Sequence, residues 1–212
     1  LFDEGYSLAE AYKIIPKMLK SNNIFLLPSC EISFLSEMWF KENNKKRKDL
    51  SEVLDSMRVI KNEFEVDLMR KSAEIAANAH IHAMKLSKKD IFEYEIEGEI
   101  LNQFYKKDAR YPAYPSIVAS GINACALHYI KNDSKLKDGQ LLLIDAGCEL
   151  ENYASDITRT YPVNGKFSPA QKEIYQLVLS SQKSAIEKVK EGNFFDDPHK
   201  EVLKILIDGL LD

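Results

Sequence analysis

Two aspartates next to predicted β-strands have the residue type and spacing needed for metal chemistry. Asp145 closes the apolar run at residues 141–144, and Asp156 lies in a second β-like stretch. If the two strands form a hairpin that turns near Leu150 and Glu151, Asp145 and Asp156 oppose each other on the core-facing part of the sheet. Directly opposed Cβ atoms lie roughly 4.5–5.5 Å apart, a distance at which like charges destabilise a sheet, and buried carboxylates are unfavourable unless they are paired. The spacing therefore predicts one or two divalent cations between the carboxylates.

A purely structural explanation of the same residues stays open. One aspartate could cap a turn or pair with Arg159 while the other is exposed, and a one-residue slip of the hairpin would put the carboxylates on opposite faces. If the site does bind metal, its hard oxygen donors suit Mn²⁺, Mg²⁺ or Zn²⁺. The absence of cysteine ligands argues against a structural zinc site.

His128 is the histidine whose position best suits catalysis. It precedes Asp145 by 17 residues in the segment ALHY, and a neutral imidazole there could carry a proton or bind substrate. The alternative is an ordinary core or surface histidine. His80 and His82 lie two residues apart on a predicted helix and cannot share a face, and His199 lies in a polar segment. None of these three is predicted to bind metal.

The composition is that of a soluble globular protein. The chain has 212 residues, 45% hydrophobic and 29% charged, with a net charge of −4, so it has no basic footprint for nucleic acid. No apolar run approaches the roughly 18 residues of a membrane span, and three widely spaced cysteines fit a reducing cytoplasm. Cys125 and Cys148 are expected to be small buried hydrophobes rather than nucleophiles. Because the chain begins with Leu1 and stops within an apolar helical pattern, we expect a fragment.

Hydrophobic periodicity predicts helices, then strands, then helices, an order typical of the α+β class. A polar stretch at residues 41–49 indicates a domain boundary near 43–57. The predicted elements are a helix over 7–21, a strand at 24–27, helices over 63–86 and from an N-cap at Asp90 to about 108, strands within 110–120, at 141–144 and over 153–163, and a helix with Ser168 as its N-cap.

Several separate motifs together resemble one enzyme family. The motifs are IVASG at 117–121, Asn123 with LHY at 127–129, Asp138-Gly139, LIDAG at 143–147, Tyr153, and DITRTYPVNGKF at 156–167. In order and spacing they are similar to Xaa-Pro aminopeptidase (aminopeptidase P), which belongs with prolidase, methionine aminopeptidase and creatinase among the pita-bread metallopeptidases. The resemblance covers residues 58–192 and implies a truncated pita-bread catalytic domain over 51–212. Residues 1–50 resemble the end of the smaller α/β N-terminal domain of such enzymes.

The resemblance also implies an activity and roles for three residues. Such enzymes release an N-terminal residue that precedes proline, and they use water activated by two metal ions, usually Mn²⁺, with Zn, Co or Mg as alternatives. Asp145 matches a bidentate ligand, Asp156 a ligand that bridges both metals, and His128 a histidine that contacts substrate and handles protons. The resemblance further implies proline-containing peptide substrates, a cytoplasmic location and a homodimer or homotetramer.

The chain departs from the family pattern in one important respect. The family has five metal ligands, and the remaining His and two Glu are expected downstream of Asp212, so we expect residues 1–212 alone to be inactive and to bind metal weakly. Two alternatives stay open. Prolidase shares the motifs but cuts only dipeptides, whereas a non-catalytic pita-bread binding module typically lacks the ligands that Asp145 and Asp156 match.

Overall fold

The chain is divided into two compact units at residue 64. The computed structural model describes residue 10, residues 24–26 and residues 47–211, and the units are Leu1–Phe64 and Glu65–Asp212. Assignment of residues 1–50 to a separate family domain stays a prediction. The helix predicted over 7–21 lies outside the described residues except for Glu10, and Cys30 lies outside them altogether.

The described part of the first unit contains two short strands and one helix. Strands β1 (Ile24–Leu26) and β2 (Arg47–Asp49) pair in parallel, with Ile24 opposite Arg47, so the strand predicted at 24–27 is confirmed. Helix α1 (Ser51–Val59) follows directly. The Asp49 carboxylate accepts a hydrogen bond from the Ser51 amide at 2.8 Å, which supplies an acceptor to the start of the helix.

Two helices follow, and they form one side of the core of the second unit. Helix α2 (Glu63–Leu86) has the bounds that the periodicity predicts, and it buries alanines along one face, which allows close approach of its neighbours. Helix α3 (Glu93–Tyr105) follows. The prediction of Asp90 as N-cap is wrong: Phe92 holds that position, with its amide bonded to the Glu95 carboxylate at 2.6 Å. Asp90 instead adopts φ +74° in the preceding turn.

Two three-stranded antiparallel sheets lie after α3. Their strands are β3 (Tyr111–Pro112), β4 (Ile117–Ser120), β5 (Leu141–Asp145), β6 (Cys148–Leu150), β7 (Tyr153–Ala154) and β8 (Thr158–Pro162). One sheet has the order β4-β5-β8 and the other β3-β6-β7, and a 3₁₀ helix at Gly121–Cys125 follows β4. The three regions predicted to hold strands are thereby confirmed.

The core lies between helices α2 and α3 and the β4-β5-β8 sheet. Strand β5 alternates, with Leu142 and Ile144 fully buried and its other residues half-buried. Because successive side chains of a strand point to opposite faces, Asp145 lies on the face away from this core, contrary to the prediction of a core-facing position. The core cluster includes Ala76, Ala79, Ala83, Ile96, Ile100, Phe104, Val118, Leu136, Leu142 and Ile144.

Two helices end the described chain. Helix α4 (Pro169–Glu187) begins after the N-cap Ser168, whose hydroxyl accepts from the Gln171 amide while the Gln171 side chain accepts from the Ser168 amide. This capping box confirms the predicted helix start. Helix α5 (Asp197–Leu211) packs on α4. None of the helices in the described part of the chain is long and apolar enough to cross a membrane.

Candidate metal centre

The hairpin that carries Asp145 and Asp156 has a different register from the predicted one. Asp145 pairs with Thr158 at the end of β5, and Leu150 pairs with Tyr153 near the turn. The turn lies at Glu151 and Asn152, which both have positive φ, 50° and 68°, as a tight two-residue hairpin turn requires. The prediction that Asp145 and Asp156 are directly opposed is therefore wrong.

The displaced register nevertheless keeps both aspartates on one face. Moving the turn by one residue changes the partner of each residue by two positions, and side chains two positions apart on a strand share a face. Asp156 therefore lies diagonal to Asp145 rather than opposite it. Two side chains at diagonal positions on one face are still close enough to contact the same long side chain.

The two strands of the hairpin approach each other closely at Gly147, between the β5-β8 pairing and the β6-β7 pairing. The Ala146 amide donates to the Ile157 carbonyl at 3.1 Å, and the Ser155 amide donates to the Cys148 carbonyl at 2.9 Å. A Cβ on Gly147 would lie 1.7 Å from the Ser155 carbonyl oxygen, so no residue with a side chain fits here without moving the opposite strand. Glycine at this position allows the close approach that brings Asp156 towards the end of β5.

Helix α2 holds the narrow part of the hairpin from the core side. The Ser72 hydroxyl donates to the Cys148 carbonyl at 3.0 Å, and His80 Nε2 lies 3.0 Å from the Ala146 carbonyl oxygen. Since a carbonyl only accepts, Nε2 carries the hydrogen of that bond. Burial lowers the pKa of His80. His80 is therefore a structural support beside Asp145, and that it does not bind metal stays a prediction.

The hydroxyl of Tyr114 lies within hydrogen-bond distance of both carboxylates. Its oxygen lies 2.5 Å from Asp145 Oδ1 and 3.0 Å from Asp156 Oδ1. Asp145 and Tyr114 are half-buried, and Asp156 is exposed. Burial, together with the two carboxylate contacts, raises the pKa of Tyr114 well above its usual range. Sequence reasoning assigned Tyr114 no role, because only the tertiary structure shows that it contacts residues 31 and 42 positions later.

The electrostatics of this cluster suit a cation. A tyrosine hydroxyl has one hydrogen, so it donates to only one carboxylate at a time, and neither aspartate forms an ion pair with any described residue. Arg159 donates instead to the Thr158 carbonyl at 2.8 Å. Two carboxylates that converge on one point with a single shared donor fit a hard divalent ion. Within the described residues no third His, Cys, Asp or Glu joins them in a group able to hold a metal.

His128 lies in the long connection between β4 and β5. It is exposed, has φ +55°, and makes no hydrogen bond or ion pair with the rest of the described chain. The structure does not connect it with Asp145 or Asp156 through any such contact. Of the other histidines, His82 lies 3.3 Å from the Glu99 carboxylate on a different face from His80, and His199 is exposed on α5.

The two described cysteines differ in environment. Cys148 is fully buried on β6, as predicted, but Cys125 is exposed at the end of the 3₁₀ helix, so the prediction of burial is wrong there. Both are free thiols. Free cysteines are usually buried, but the connection that contains Cys125 lies at the surface.

Comparison with known proteins identifies the family. The model of metallopeptidase family M24 matches residues 67–211. Xaa-Pro aminopeptidase of Haemophilus influenzae is 46% identical over 214 residues, which cover 99% of this chain and 49% of the relative. The Escherichia coli Xaa-Pro aminopeptidase is 45% identical over 163 residues, covering 77% of this chain and 37% of the relative.

Solved structures agree with the sequence relatives. Aminopeptidase PepP of Pseudomonas aeruginosa superimposes with a TM-score of 0.90 at 36% identity, covering 99% of this chain and 50% of that one. A low-pH form of Escherichia coli aminopeptidase P gives a TM-score of 0.91 at 35% identity, with the same coverage. The fold is therefore the pita-bread fold, in the α+β class, as predicted.

The chain belongs to metallopeptidase family M24. Membership implies a divalent metal ion as cofactor, which agrees with the oxygen donors that Asp145 and Asp156 bring together. The chain spans about half the length of the curated relatives that it matches.

Proposed function

We propose that the complete protein is an Xaa-Pro aminopeptidase, which releases the N-terminal residue of peptides with proline in second position. The observation that carries the proposal is the convergence of Asp145 and Asp156 on the Tyr114 hydroxyl, at 2.5 and 3.0 Å. Relatives that carry this activity in their names support it, at 45–46% identity. The cluster supports a metal site, and the relatives support this particular activity.

The two aspartates are the proposed metal ligands. Asp145, at the rigid end of β5, would hold one ion, and Asp156, on the exposed side of the pair, would bridge two. Two divalent ions bound there would supply an activated water and stabilise the charge of the tetrahedral intermediate. The remaining ligands would come from the part of the relatives' length that this chain does not span.

The other residues near the pair would position substrate and protons. His128 is exposed and free to contact a bound peptide, so we propose it as the residue that binds substrate and transfers a proton. Tyr114 would hold the carboxylates apart and oriented before metal binds. Mn²⁺ as the native ion, a homodimeric or homotetrameric assembly and a cytoplasmic location are parts of the same proposal.

Hydrolysis of two peptide classes tests the proposal. The full-length protein is assayed with Xaa-Pro-Yaa tripeptides and with Xaa-Pro dipeptides, in Mn²⁺ and after chelation. We expect tripeptide cleavage that the chelator abolishes. Cleavage of dipeptides alone would identify a prolidase, and cleavage of neither by protein with bound metal would favour a binding module.

Metal binding by the 212-residue chain gives a separate test of the ligand set. Two carboxylates leave a divalent ion mostly hydrated, so calorimetric titration with Mn²⁺ is expected to show weak binding that Asp145→Asn weakens further. Submicromolar affinity would show that these residues already contain a complete site. Glu151→Gln, which removes one exposed charge from the same hairpin, is the matched control.

A further inference from the structure

Glu93 is a fully buried carboxylate without a cationic partner among the described residues. Its two oxygens accept hydrogen bonds from five groups. The donors are the Ser120 amide at 2.7 Å, the Ser120 hydroxyl at 2.7 Å, Asn123 Nδ2 at 3.1 Å, the Tyr129 hydroxyl at 2.8 Å and the Ser134 amide at 3.0 Å. Burial alone would raise the pKa of Glu93, but the hydrogen bonds from Ser134, Ser120 and Asn123 outweigh it and lower the pKa.

All five donors belong to one stretch of chain, residues 120–134, which we call the His128 loop. Ser120 ends strand β4, Asn123 lies in the 3₁₀ helix, and Tyr129 directly follows His128. At the far end the Glu93 amide also donates back to the Ser134 carbonyl at 3.0 Å. A single residue in the first turn of α3 therefore holds the beginning, the middle and the end of the loop.

The backbone of the loop depends on such anchors. His128 and Asn132 both have positive φ, 55° and 49°, which residues other than glycine adopt at an energetic disadvantage unless the surroundings impose it. Asn132 is buried, and its side chain bonds to Glu97, to the Ser116 carbonyl and to the Val118 amide. His128 has no anchor of its own in the described chain, so its neighbours determine where it lies.

We infer that Glu93 is a positioning residue for His128: it sets the conformation of the loop through Tyr129, Asn123 and Ser134 and thereby the placement of the imidazole. A carboxylate is required because five donors converge on it. A glutamine has the same shape, but its NH₂ group would face either the Ser120 amide or the Ser134 amide, which cannot become acceptors. The inference rests on the proposed function for the role of His128 in the reaction.

A double-mutant cycle in the full-length protein tests the link between the two residues. We expect Glu93→Gln to lower kcat for tripeptide cleavage by about 10–100-fold, the range for residues that support an active group, with metal content unchanged. In a His128→Ala background the same substitution is expected to lower kcat by less than about threefold, because the group it positions is gone. Equal losses in both backgrounds would overturn the inference.

A control variant and a milder variant distinguish a loss of His128 positioning from a general destabilisation of the fold. Glu95→Gln removes a charge from the same helical turn, but Glu95 is exposed. Within the described residues its carboxylate accepts a hydrogen bond only from the Phe92 amide, so kcat is expected to stay within about twofold of wild type. Tyr129→Phe removes the hydroxyl that lies 2.8 Å from Glu93 Oε2 and 3.3 Å from Asp133 Oδ1 and that accepts from Asn123 Nδ2 at 3.1 Å. If Glu93→Gln does not fold, Tyr129→Phe replaces it in the cycle, with a smaller loss and the same expected non-additivity.

Hydrogen exchange gives a measure that does not depend on activity. Glu93→Gln is expected to speed amide exchange by at least about tenfold in residues 121–134, while amides of the β5-β8 pairing exchange as in wild type. Unchanged exchange in the loop would overturn the inference even if the enzyme is active. If wild type cleaves no Xaa-Pro peptide, the proposed function fails, and the exchange result alone decides whether Glu93 orders the His128 loop.

Discussion

Two acidic sites of the second unit differ in the number of donors available to each carboxylate. Glu93 is one fully buried carboxylate with five hydrogen-bond donors. Asp145 and Asp156 are two carboxylates that share a single hydroxyl, and Asp156 is exposed. Burial alone would have singled out Glu93 as the unusual group, whereas the count of donors singles out the aspartate pair.

This difference separates a structural carboxylate from the two proposed metal ligands. The charge of Glu93 is satisfied by the protein itself, so an added cation would have to displace bonds that already exist. At the aspartate pair one hydrogen serves two negative groups, so a divalent ion would remove repulsion instead of breaking bonds. We therefore expect charge-removing substitutions to affect metal binding at the pair and loop order at Glu93.

The largest expected effect is loss of activity at the pair. In the full-length protein Asp156→Ala should lower kcat/KM by more than about 100-fold, since even residues that only support a ligand typically contribute 10–100-fold, and Asp145→Asn should weaken metal binding on one side. The measurements are tripeptide hydrolysis and metal content, with Glu151→Gln as the control. Wild-type rates in both aspartate variants would contradict the assignment of Asp145 and Asp156 as metal ligands in contrast to Glu93.

The next effect concerns the backbone that brings the pair together. Gly147→Ala would place a Cβ 1.7 Å from the Ser155 carbonyl oxygen, and we expect the free energy of unfolding to fall by about 3 kcal/mol, at the upper end for overpacking. Urea denaturation measures the change. Gly98→Ala on α3 has nothing within 4 Å of the new Cβ and should be neutral or stabilising by up to about 1 kcal/mol. Equal changes in the free energy of unfolding for the two variants would contradict the close approach of the strands at Gly147.

Glu93 should show its structural role in the pH dependence of stability. Because its pKa in the folded state is below the ordinary value of 4.5, its charge contributes stability that is present above about pH 4.5 and is lost as pH falls through the folded-state pKa. Glu93→Gln should therefore lower stability by about 2 kcal/mol at pH 7, and the difference from wild type should shrink in acid. Urea denaturation of wild type and Glu93→Gln at pH 7 and in acid checks this, with Glu95→Gln as the control. A stability difference between wild type and Glu93→Gln that grows in acid would contradict the prediction.

The smallest effect is expected at the shared hydroxyl. Tyr114→Phe removes the only donor that the described residues place between Asp145 and Asp156, so in metal-free protein the free energy of unfolding should fall by about 1 kcal/mol. With a divalent ion in excess the difference from wild type should become smaller, because the ion neutralises the same charges. The same thermal or urea denaturation with and without Mn²⁺ gives both numbers, and a loss that grows with metal would make Tyr114 itself part of the metal site.

Local signals in the sequence were sufficient for helices α2 and α4. The period of apolar residues predicted helix α2 with its observed bounds, and Ser168 followed by proline predicted the start of α4, because both signals act within a few residues. Asp90 shows the limit of such signals: it has the residue type of an N-cap, yet the helix begins three residues later at Glu93. There the backbone pairing of residues 90–93 with 134–136 prevails over the local preference.

The shared face of Asp145 and Asp156 was predictable from the sequence, but the construction of the candidate site around them was not. Residue type and strand periodicity determined that Asp145 and Asp156 share a face, and that result survived an error of one residue in the turn because a strand repeats every two residues. Only the tertiary structure decided the register, the close approach of the two strands at Gly147, the Tyr114 hydroxyl between the carboxylates and the five donors around Glu93. The contacts of Glu93 and Tyr114 join residues 27 to 42 positions apart, and the pairing of β5 with β8 joins residues up to 21 positions apart. Periodicity along one strand or helix carries no information about partners on another element.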